Sequence, residues 1–323
     1  MDKHIEISIV IELENCSLHY SEFNENLIQQ LLSIKKQLVK TQYEFEILIC
    51  FSTTTINSVL LENTRKFAEK NFFPSQLKFL SFDHASYYQL KNYGADSSQG
   101  NIIIFLDSDV TTDLNWVANL LKPFEENKDI KVVAGRTELK AQNTIQYSQL
   151  LVTFFDNYKN VNNFDVTKNF FANNVAFKKE LFLKYKFPIN QQTARTSCCQ
   201  LAQNLSLDNI KIHKQHQAIV YHRSASSLSE LLLRSVIEGR DQTMLKVEKY
   251  KPLFKRASIP IKIFKSKCKL LTHRISYINT HRHAASISIT SLIIAFAYIL
   301  IMSISAALTL LLPRFMSSRL HEI

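Results

Sequence analysis

The chain has 323 residues, of which 46% are hydrophobic, and its 39 Lys and Arg against 28 Asp and Glu give a net charge of +11. This length and apolar content exclude a disordered chain and predict one large folded domain or two ordinary ones. Four glycines argue against a glycine-rich dinucleotide-binding loop, and five cysteines without metal-ligand spacing indicate reduced thiols in a cytosolic domain.

Strand and helix patterns alternate through the first 136 residues. The strand patterns are IEISIVIEL, YEFEILICF, LKFLSF, NIIIFL and IKVVAG, and helical spacing lies between them near residues 23–40, 57–71, 86–98 and 114–126. This alternation predicts an α/β fold with a mainly parallel sheet and helices on both faces. Ligands of such sheets bind beyond the carboxyl ends of the strands.

Two aspartates follow the fourth of these strands directly. In NIIIFLDSDVTTDLNW a buried-strand pattern ends on Asp107 and Asp109, one residue apart. The pair could hold a metal ion, act as nucleophile and acid, or cap the next helix. Its place at a strand end of the predicted sheet favours a ligand site.

The alternation loosens after Gly135. A segment rich in Asn and Phe precedes FFANNVAFKKELF, a strand running into a helix, and then come TSCCQLAQNL, the strand-like IKIHKQHQAIVYH and the helix LSELLLRSVIEGRDQTML. We expect residues 137–245 to cover the nucleotide-binding half, residues 1–136, and to bind the second substrate.

Almost all of the net charge lies in one segment. Residues 246–283 contain eleven Lys and Arg against Glu248 alone, a net charge of +10. A basic block beside a membrane segment predicts attraction to anionic lipid, whereas a nucleic-acid-binding protein would spread such residues over its folded domain. The alternative is a solvated, charged linker.

Residues 284–313 contain no charged side chain. The 26 residues of 287–312 would form a helix about 39 Å long, enough for one tilted membrane span, although a buried core helix is the alternative. The basic excess on its N-terminal side places residues 1–283 in the cytoplasm, with a short tail at 314–323. Within the basic block, IPIKIFKSKCKLL has the composition of a segment lying on the bilayer surface.

The sequence from about residue 5 to 245 resembles a family 2 glycosyltransferase with the GT-A fold. The resemblance is carried by ISIVIELEN, LKNYGADSSQGNIIIFLDSD, Trp116 with LLKPF, VVAGR, NNVAFKKELF and AIVYH. The most specific part is Lys91-Asn92-Tyr93-Gly94 with Gly100, followed by the Asp107-Ser108-Asp109 motif of D-x-D type.

This resemblance implies a nucleotide-diphosphate sugar as donor and a divalent cation, Mg²⁺ or Mn²⁺, which neutralises the departing diphosphate. It makes Asp109 a metal ligand, Asp107 a contact of the ribose or metal, and Lys91 a charge near the diphosphate. His222 matches a third ligand of some members. On the acceptor side, the implied residues are Asn173, Asn174 and Arg195.

The sequence departs from the family pattern in two places. The second strand usually ends in an aspartate that binds the base, but here it ends in Phe51 and Ser52, so Ser52, Glu12 or Glu14 would hold the base instead. The usual Glu-Asp pair that supplies the catalytic base aligns with Ser197-Cys198. The remaining candidates for the base are Asp156, Asp165, Glu180 and a Cys198 thiolate.

We therefore expect a membrane-anchored, cytosol-facing transferase that moves sugar to a lipid-linked or polysaccharide acceptor. One alternative is a catalytically degenerate member that binds nucleotide sugar beside another transferase. The remote alternative is a haloacid-dehalogenase-like phosphatase, since FLDSDVT also fits that family's loop with Asp107 as nucleophile and Asp109 as acid. That family places the loop after its first strand, unlike the order of patterns here.

Overall fold

The computed structural model describes residues 6–17, 20–41, 43–153, 164–189, 196–249, 253–281 and 287–319. The chain forms two compact units. Unit 1 comprises Met1–Thr137, Asn160–Ile189 and Ser197–His222, and unit 2 comprises Glu138–Lys159, Asn190–Thr196 and Arg223–Ile323.

The described strands form one sheet, which lies almost entirely in unit 1. They are β1 (Ile7–Glu12), β2 (Phe45–Ser52), β3 (Leu77–Phe82), β4 (Ile102–Asp107), β5 (Val110–Thr112), β6 (Val132–Leu139), β7 (Phe164–Thr167), β8 (Asn174–Lys178) and β9 (Ile212–His222). The helices of this unit are α1 (Glu14–Ser17), α2 (Tyr20–Lys40), α3 (Ser58–Asn71), α4 (Tyr87–Ser97), α5 (Trp116–Glu126), α7 (Lys179–Tyr185) and α8 (Ser197–Leu207).

The sheet is mixed, with the order β3-β2-β1-β4-β8-β6-β9-β5 and β7 paired to β9. Strands β1 to β4 are parallel, as the alternation predicts. Beyond β4 the pairing becomes antiparallel, because β8 runs against both β4 and β6, and β9 runs against β5 and β7.

Alternate residues of the parallel strands face two separate cores. Ile9 of β1 and Ile104 of β4 belong to the core that α2, α3 and α5 cover, whereas Val10 and Phe105 belong to the core that α4, α7 and α8 cover. A strand that is buried on both faces has a continuous run of apolar residues, which is why ISIVIE and IIIFL could be predicted as strands from the sequence. The prediction that helices cover both faces of the sheet is confirmed.

The described part of unit 2 consists mainly of helices. They are α6 (Thr144–Val152), α9 (Leu228–Lys249), α10 (Leu253–Ala257), α11 (Ile259–His281), α12 (Ile289–Leu311) and α13 (Pro313–Arg319). Among the described residues, α12 alone is long and apolar enough to cross a membrane, with a mean hydropathy of 2.3. Helix α9, most of which lies in the predicted domain of residues 1–245, groups with these C-terminal helices.

Candidate metal and nucleotide site

The D-x-D motif and His222 meet because of how β4, β5 and β9 are joined. Strand β4 ends on Asp107, and the chain then enters the short strand β5, whose first residue, Val110, pairs with His222 at the end of β9. Asp109 therefore lies directly beside His222, and its Oδ2 is 3.5 Å from the histidine Nε2.

Ligand atoms of Asp107, Asp109 and His222 all lie within 4.8 Å of one another. Oδ1 of Asp109 is buried and has no hydrogen-bond partner among the described residues. A buried carboxylate oxygen without a donor is unfavourable unless a ligand supplies the missing interaction. Two carboxylates and one imidazole are a donor set suited to a divalent cation such as Mn²⁺, so these residues fit a metal ion.

Asp107 is held by a network from α4. Its Oδ1 accepts a hydrogen bond from Tyr87 Oη at 2.6 Å and lies 2.8 Å from Lys91 Nζ. Lys91 is completely buried, and its ammonium also donates to the Leu106 carbonyl at 3.1 Å. The lysine predicted to approach the diphosphate thus contacts Asp107 directly, and its effect on a donor would pass through that carboxylate.

Gly94 explains how α4 comes close enough to make these contacts. A Cβ at this position would lie 2.5 Å from Val10 Cγ1 and 2.7 Å from Cys50 Sγ, so only glycine lets the helix pack this tightly on β1 and β2. Lys91 lies about one helical turn before Gly94 and Tyr87 about two turns before it, so both side chains reach over the sheet edge. The packing of α4 against β1 and β2 therefore requires the glycine of the Lys-Asn-Tyr-Gly motif.

Glu12 lies beside Asp107, since the two residues are register partners at the ends of β1 and β4. Its carboxylate accepts from the Glu14 amide at 2.7 Å and from Asn15 Nδ2 at 2.9 Å, which fixes the start of α1. Burial, and then the charge of Asp107, raise the pKa of Glu12 well above its usual value. Burial also raises the pKa of Glu14 to about 7.

The predicted base-binding residue Ser52 is buried at the end of β2, on the same sheet edge. Its hydroxyl is 2.9 Å from Thr54 Oγ1. Strands β2, β1 and β4 are neighbours, so Ser52, Glu12 and Asp107 follow one another along the carboxyl edge. The donor-binding roles of Ser52, Glu12 and Glu14 stay predictions.

The two described acceptor-side candidates lie in a buried hydrogen-bond network. Asn174 accepts from Trp116 Nε1 at 2.9 Å and donates to the carbonyls of Arg136 and Ala218, both at 3.0 Å. Asn173 accepts from Thr137 Oγ1 at 2.9 Å. Asn174 uses both of its amide hydrogens within the protein, so it joins α5, β6 and β9. The third candidate, Arg195, lies outside the described residues.

Two of the residues predicted as candidates for the catalytic base lie far from Asp107, Asp109 and His222. Asp165 pairs in register with Lys214, eight residues before His222 on β9, which corresponds to about 27 Å along an extended strand. Glu180 follows Lys178, the partner of Ile102 at the opposite end of β4 from Asp107. Neither carboxylate reaches Asp107, Asp109 and His222, and the catalytic role of both residues stays a prediction. Asp156 lies outside the described residues.

Cys198 is buried in the α4–α8 core, in the first turn of α8. A hydrogen bond from Cys199, opposed by burial and assisted by Tyr88, lowers the pKa of Cys198 to about 7. Tyr88 is the neighbour of Tyr87, which binds Asp107. Cys198 is thus linked to Asp107 through Tyr88 and Tyr87, whose ring centroids are 4.7 Å apart. It stands at the position where the family resemblance implies a base.

Three residues that hold the site together were not predicted from the sequence. Tyr87 binds Asp107, Asn15 Nδ2 is 3.4 Å from Asp107 Oδ2, and Gln30 Nε2 donates to the Asp107 carbonyl at 2.8 Å. The four-residue spacing between Tyr87 and Lys91 on one helix was an available signal for the tyrosine. Gln30 gave none, since its partner is 77 residues away.

Comparisons with known proteins identify the family and the fold. The sequence profile of "Glycosyl transferase family 2" matches residues 18–186. In structure, the chain is similar to the mannosyltransferase PcManGT from Pyrobaculum calidifontis, in complex with GDP-Man and Mn²⁺ (TM-score 0.56, 13% identity, covering 97% of this chain and 89% of that one). It is also similar to GalNAc-T7 with UDP, GalNAc and Mn²⁺ (TM-score 0.50, 14% identity, 69% and 44%). No curated protein matches the sequence significantly.

Proposed function

The chain belongs to glycosyl transferase family 2 and has the GT-A fold, and from this premise we propose that it transfers a sugar from a nucleotide-diphosphate donor to a lipid-linked or polysaccharide acceptor at a membrane surface. The observation that carries the proposal is the convergence of Asp107, Asp109 and His222, with Asp109 Oδ1 lacking a partner among the described residues. Family membership leaves the phosphatase alternative without support.

Some residues of the site would bind the metal ion, and others hold these ligands in place. Asp109 and His222 would bind a divalent cation, Mg²⁺ or Mn²⁺, with Asp107 completing the set or facing the ribose. When bound, such a cation neutralises the charge of a diphosphate leaving group. Lys91 and Tyr87 orient the Asp107 carboxylate, because both interact with its Oδ1.

The test is sugar transfer and donor hydrolysis by the full chain with Mn²⁺ and a panel of nucleotide sugars that includes GDP-mannose and UDP-GalNAc. We expect turnover that the substitution Asp109→Ala lowers by at least 10²-fold, because the substitution removes a metal ligand. The exposed Asp129→Ala is the matched control and should behave like the wild type. Unchanged turnover in Asp109→Ala would show that the metal assignment is wrong.

A second candidate function is a catalytically degenerate partner that binds nucleotide sugar without turning it over. It is favoured by the first turn of α8, where Ser197 and Cys198 stand in place of the expected acid pair. The substitution Cys198→Asp distinguishes the two functions. Donor binding without turnover in the wild type, and new turnover in this variant, would favour the degenerate partner.

We further propose that the protein works at the cytoplasmic face of the cell membrane and is anchored near its C-terminus through α12. The apolar character of α12 suits a membrane anchor, and the basic excess of residues 246–283 beside it favours the cytoplasmic side for residues 1–283. The cytoplasmic leaflet also carries the anionic lipid that attracts such a basic segment. Such an anchor would hold the transferase on the membrane that contains a lipid-linked acceptor.

A further inference from the structure

Helix α12 has two faces of opposite character. One face consists of large apolar side chains that are 40–77% exposed and recur every three or four residues: Ile289, Ile293, Phe296, Leu300, Ile304, Leu308 and Leu311. We call this set the α12 stripe. Residues three and four apart share one side of a helix, so the stripe is a continuous apolar surface along the whole of α12.

The opposite face of α12 is buried against α9 and α6 of the same unit through polar contacts. Tyr298 Oη donates to Glu238 Oε2 at 2.6 Å, Ser305 Oγ donates to the Val236 carbonyl at 2.6 Å, and Ser291 Oγ donates to the Thr144 carbonyl at 3.2 Å. A Cβ on Gly239 would lie 2.2 Å from the Met302 carbonyl, so α9 and α12 pack backbone to backbone at mid-helix.

These contacts conflict with a helix that crosses the bilayer. Tyr298 and Ser305 lie near the middle of α12, so a crossing would carry the adjoining part of α9 to the centre of the hydrocarbon. That part holds Glu238, paired with Lys267 of α11 at 2.6 Å, and the buried pair Arg240–Asp241 at 2.8 Å. Charged side chains at the bilayer centre are strongly unfavourable.

Helix α11, which packs against α12, carries exposed lysines. Lys262, Lys265 and Lys269 are exposed at three- and four-residue spacing. Phe264 of the same helix packs against Phe296 of the stripe, with the ring centroids 6.0 Å apart. An apolar surface flanked by lysines complements a bilayer surface that contains anionic headgroups.

We propose that α12 lies in the plane of the membrane, with the α12 stripe at the boundary of headgroups and acyl chains and the α11 lysines on anionic headgroups. This inference rests on the membrane association proposed above and is independent of sugar transfer. The helix then anchors the chain on one side of the bilayer without carrying the charges of α9 into the hydrocarbon.

Depth-dependent fluorescence quenching tests the orientation. Trp116 is the only tryptophan and is fully buried in unit 1, so it provides a constant background. The variants Ile289→Trp, Leu300→Trp and Leu311→Trp each add one probe to the stripe, and the full chain is bound to phosphatidylserine-containing vesicles with lipids brominated at different chain positions. We expect all three probes to be quenched most by bromines near the headgroup, at equal depth.

A crossing helix would place Leu300→Trp deepest and the two end probes near the surfaces, and that graded profile would overturn the proposal. Absence of quenching at all three positions would also overturn it. Vesicle binding is the second measurement: Leu300→Glu should weaken it at least tenfold, while Leu207→Glu, at an apolar and even more exposed position on α8, should not. A transfer assay in detergent without vesicles reports on the proposed function alone, so the two can fail separately.

Discussion

At the residue scale, the site depends on a buried ion pair between Lys91 and Asp107. Two other acidic groups, Glu12 and Asp109, lie close to Asp107, and Lys91 is the cation that offsets their mutual repulsion. The sequence motif indicated that a lysine belonged near the diphosphate. It could not indicate that the ammonium binds the aspartate, because that contact depends on the packing of α4 against β1.

Replacing Lys91 with methionine should therefore destabilise the protein. The substitution leaves buried carboxylates without a counter-charge, and breaking a buried pair in this way costs about 3–5 kcal/mol. Urea denaturation of Lys91→Met measures the loss. Lys66→Met on α3 is the control, since Lys66 pairs with Glu62 on the exposed surface, and it should change stability by less than about 0.5 kcal/mol. Equal midpoints for the two variants would contradict the buried-pair interpretation.

At the element scale, strands β1, β2 and β4, which are buried on both faces, were predicted to within one or two residues, whereas β6 extends four residues beyond its predicted end. A continuous apolar run of this length is too short for a buried helix and fits a strand that is buried on both faces, as IIIFLD of β4 shows. The three-residue β5 was not predicted, because it is too short to have a pattern and exists only through its pairing with β9. That pairing brings His222 to Asp109, so the ligand role proposed for His222 could be predicted only through the family resemblance.

The close approach of α4 gives a prediction for Gly94→Ala. The added Cβ would meet Val10 and Cys50, so α4 must move away from the sheet, at a cost of about 1–3 kcal/mol. Because Tyr87 and Lys91 move with the helix, affinity for Mn²⁺ should fall as well, and titration calorimetry measures it. Gly239→Ala, equally crowded but in unit 2, should lower stability and leave Mn²⁺ affinity unchanged. A parallel loss in both variants would contradict this account.

The start of α9 gives a prediction for the pH dependence of stability. Burial alone would raise the pKa of Glu230, but hydrogen bonds from the Ser226 amide and Arg234, together with the charge of Arg223, lower it to about 2. A carboxyl with a lowered folded-state pKa stabilises the fold above its unfolded value of 4.5, and that stability is lost as the pH falls from about 4.5 towards 2.

The variant Glu230→Gln should accordingly be less stable than the wild type at pH 7, by about 2 kcal/mol once partial solvent screening is taken into account. The difference should shrink below pH 4.5 and disappear near pH 2, as chemical denaturation across the pH range can show. The exposed Glu62→Gln on α3 should produce no such pH-dependent difference.

At the scale of the whole molecule, charge and metal site lie in different parts of the chain. Residues 1–245 are close to neutral, and the excess of +10 lies in residues 246–283, which belong to unit 2. This separation argues against a nucleic-acid partner and for an anionic surface. The composition of residues 284–313 indicated a membrane helix. The packing of α12 on the charged helix α9, which the composition does not reveal, is what favours a helix lying on the surface over a crossing helix.

Membrane binding by the basic segment should depend on salt. Association with phosphatidylserine vesicles is expected to weaken at least tenfold when the ionic strength rises from about 0.05 M to about 0.5 M, because screening then acts over a few ångströms. Vesicle flotation measures the bound fraction, and phosphatidylcholine vesicles, where only the α12 stripe contributes, should show little salt dependence. Equal salt dependence on both lipids would contradict a role for the lysines.

The most direct test of the central claim, a divalent-metal and nucleotide site at Asp109 and His222, is anomalous diffraction from crystals of the full chain grown with Mn²⁺ and a nucleoside diphosphate. We predict one strong manganese peak within about 2.5 Å of an Asp109 carboxylate oxygen and of His222 Nε2, with the diphosphate on its open side. A manganese peak elsewhere, or a nucleoside diphosphate bound away from Asp107 and Asp109, would contradict the account.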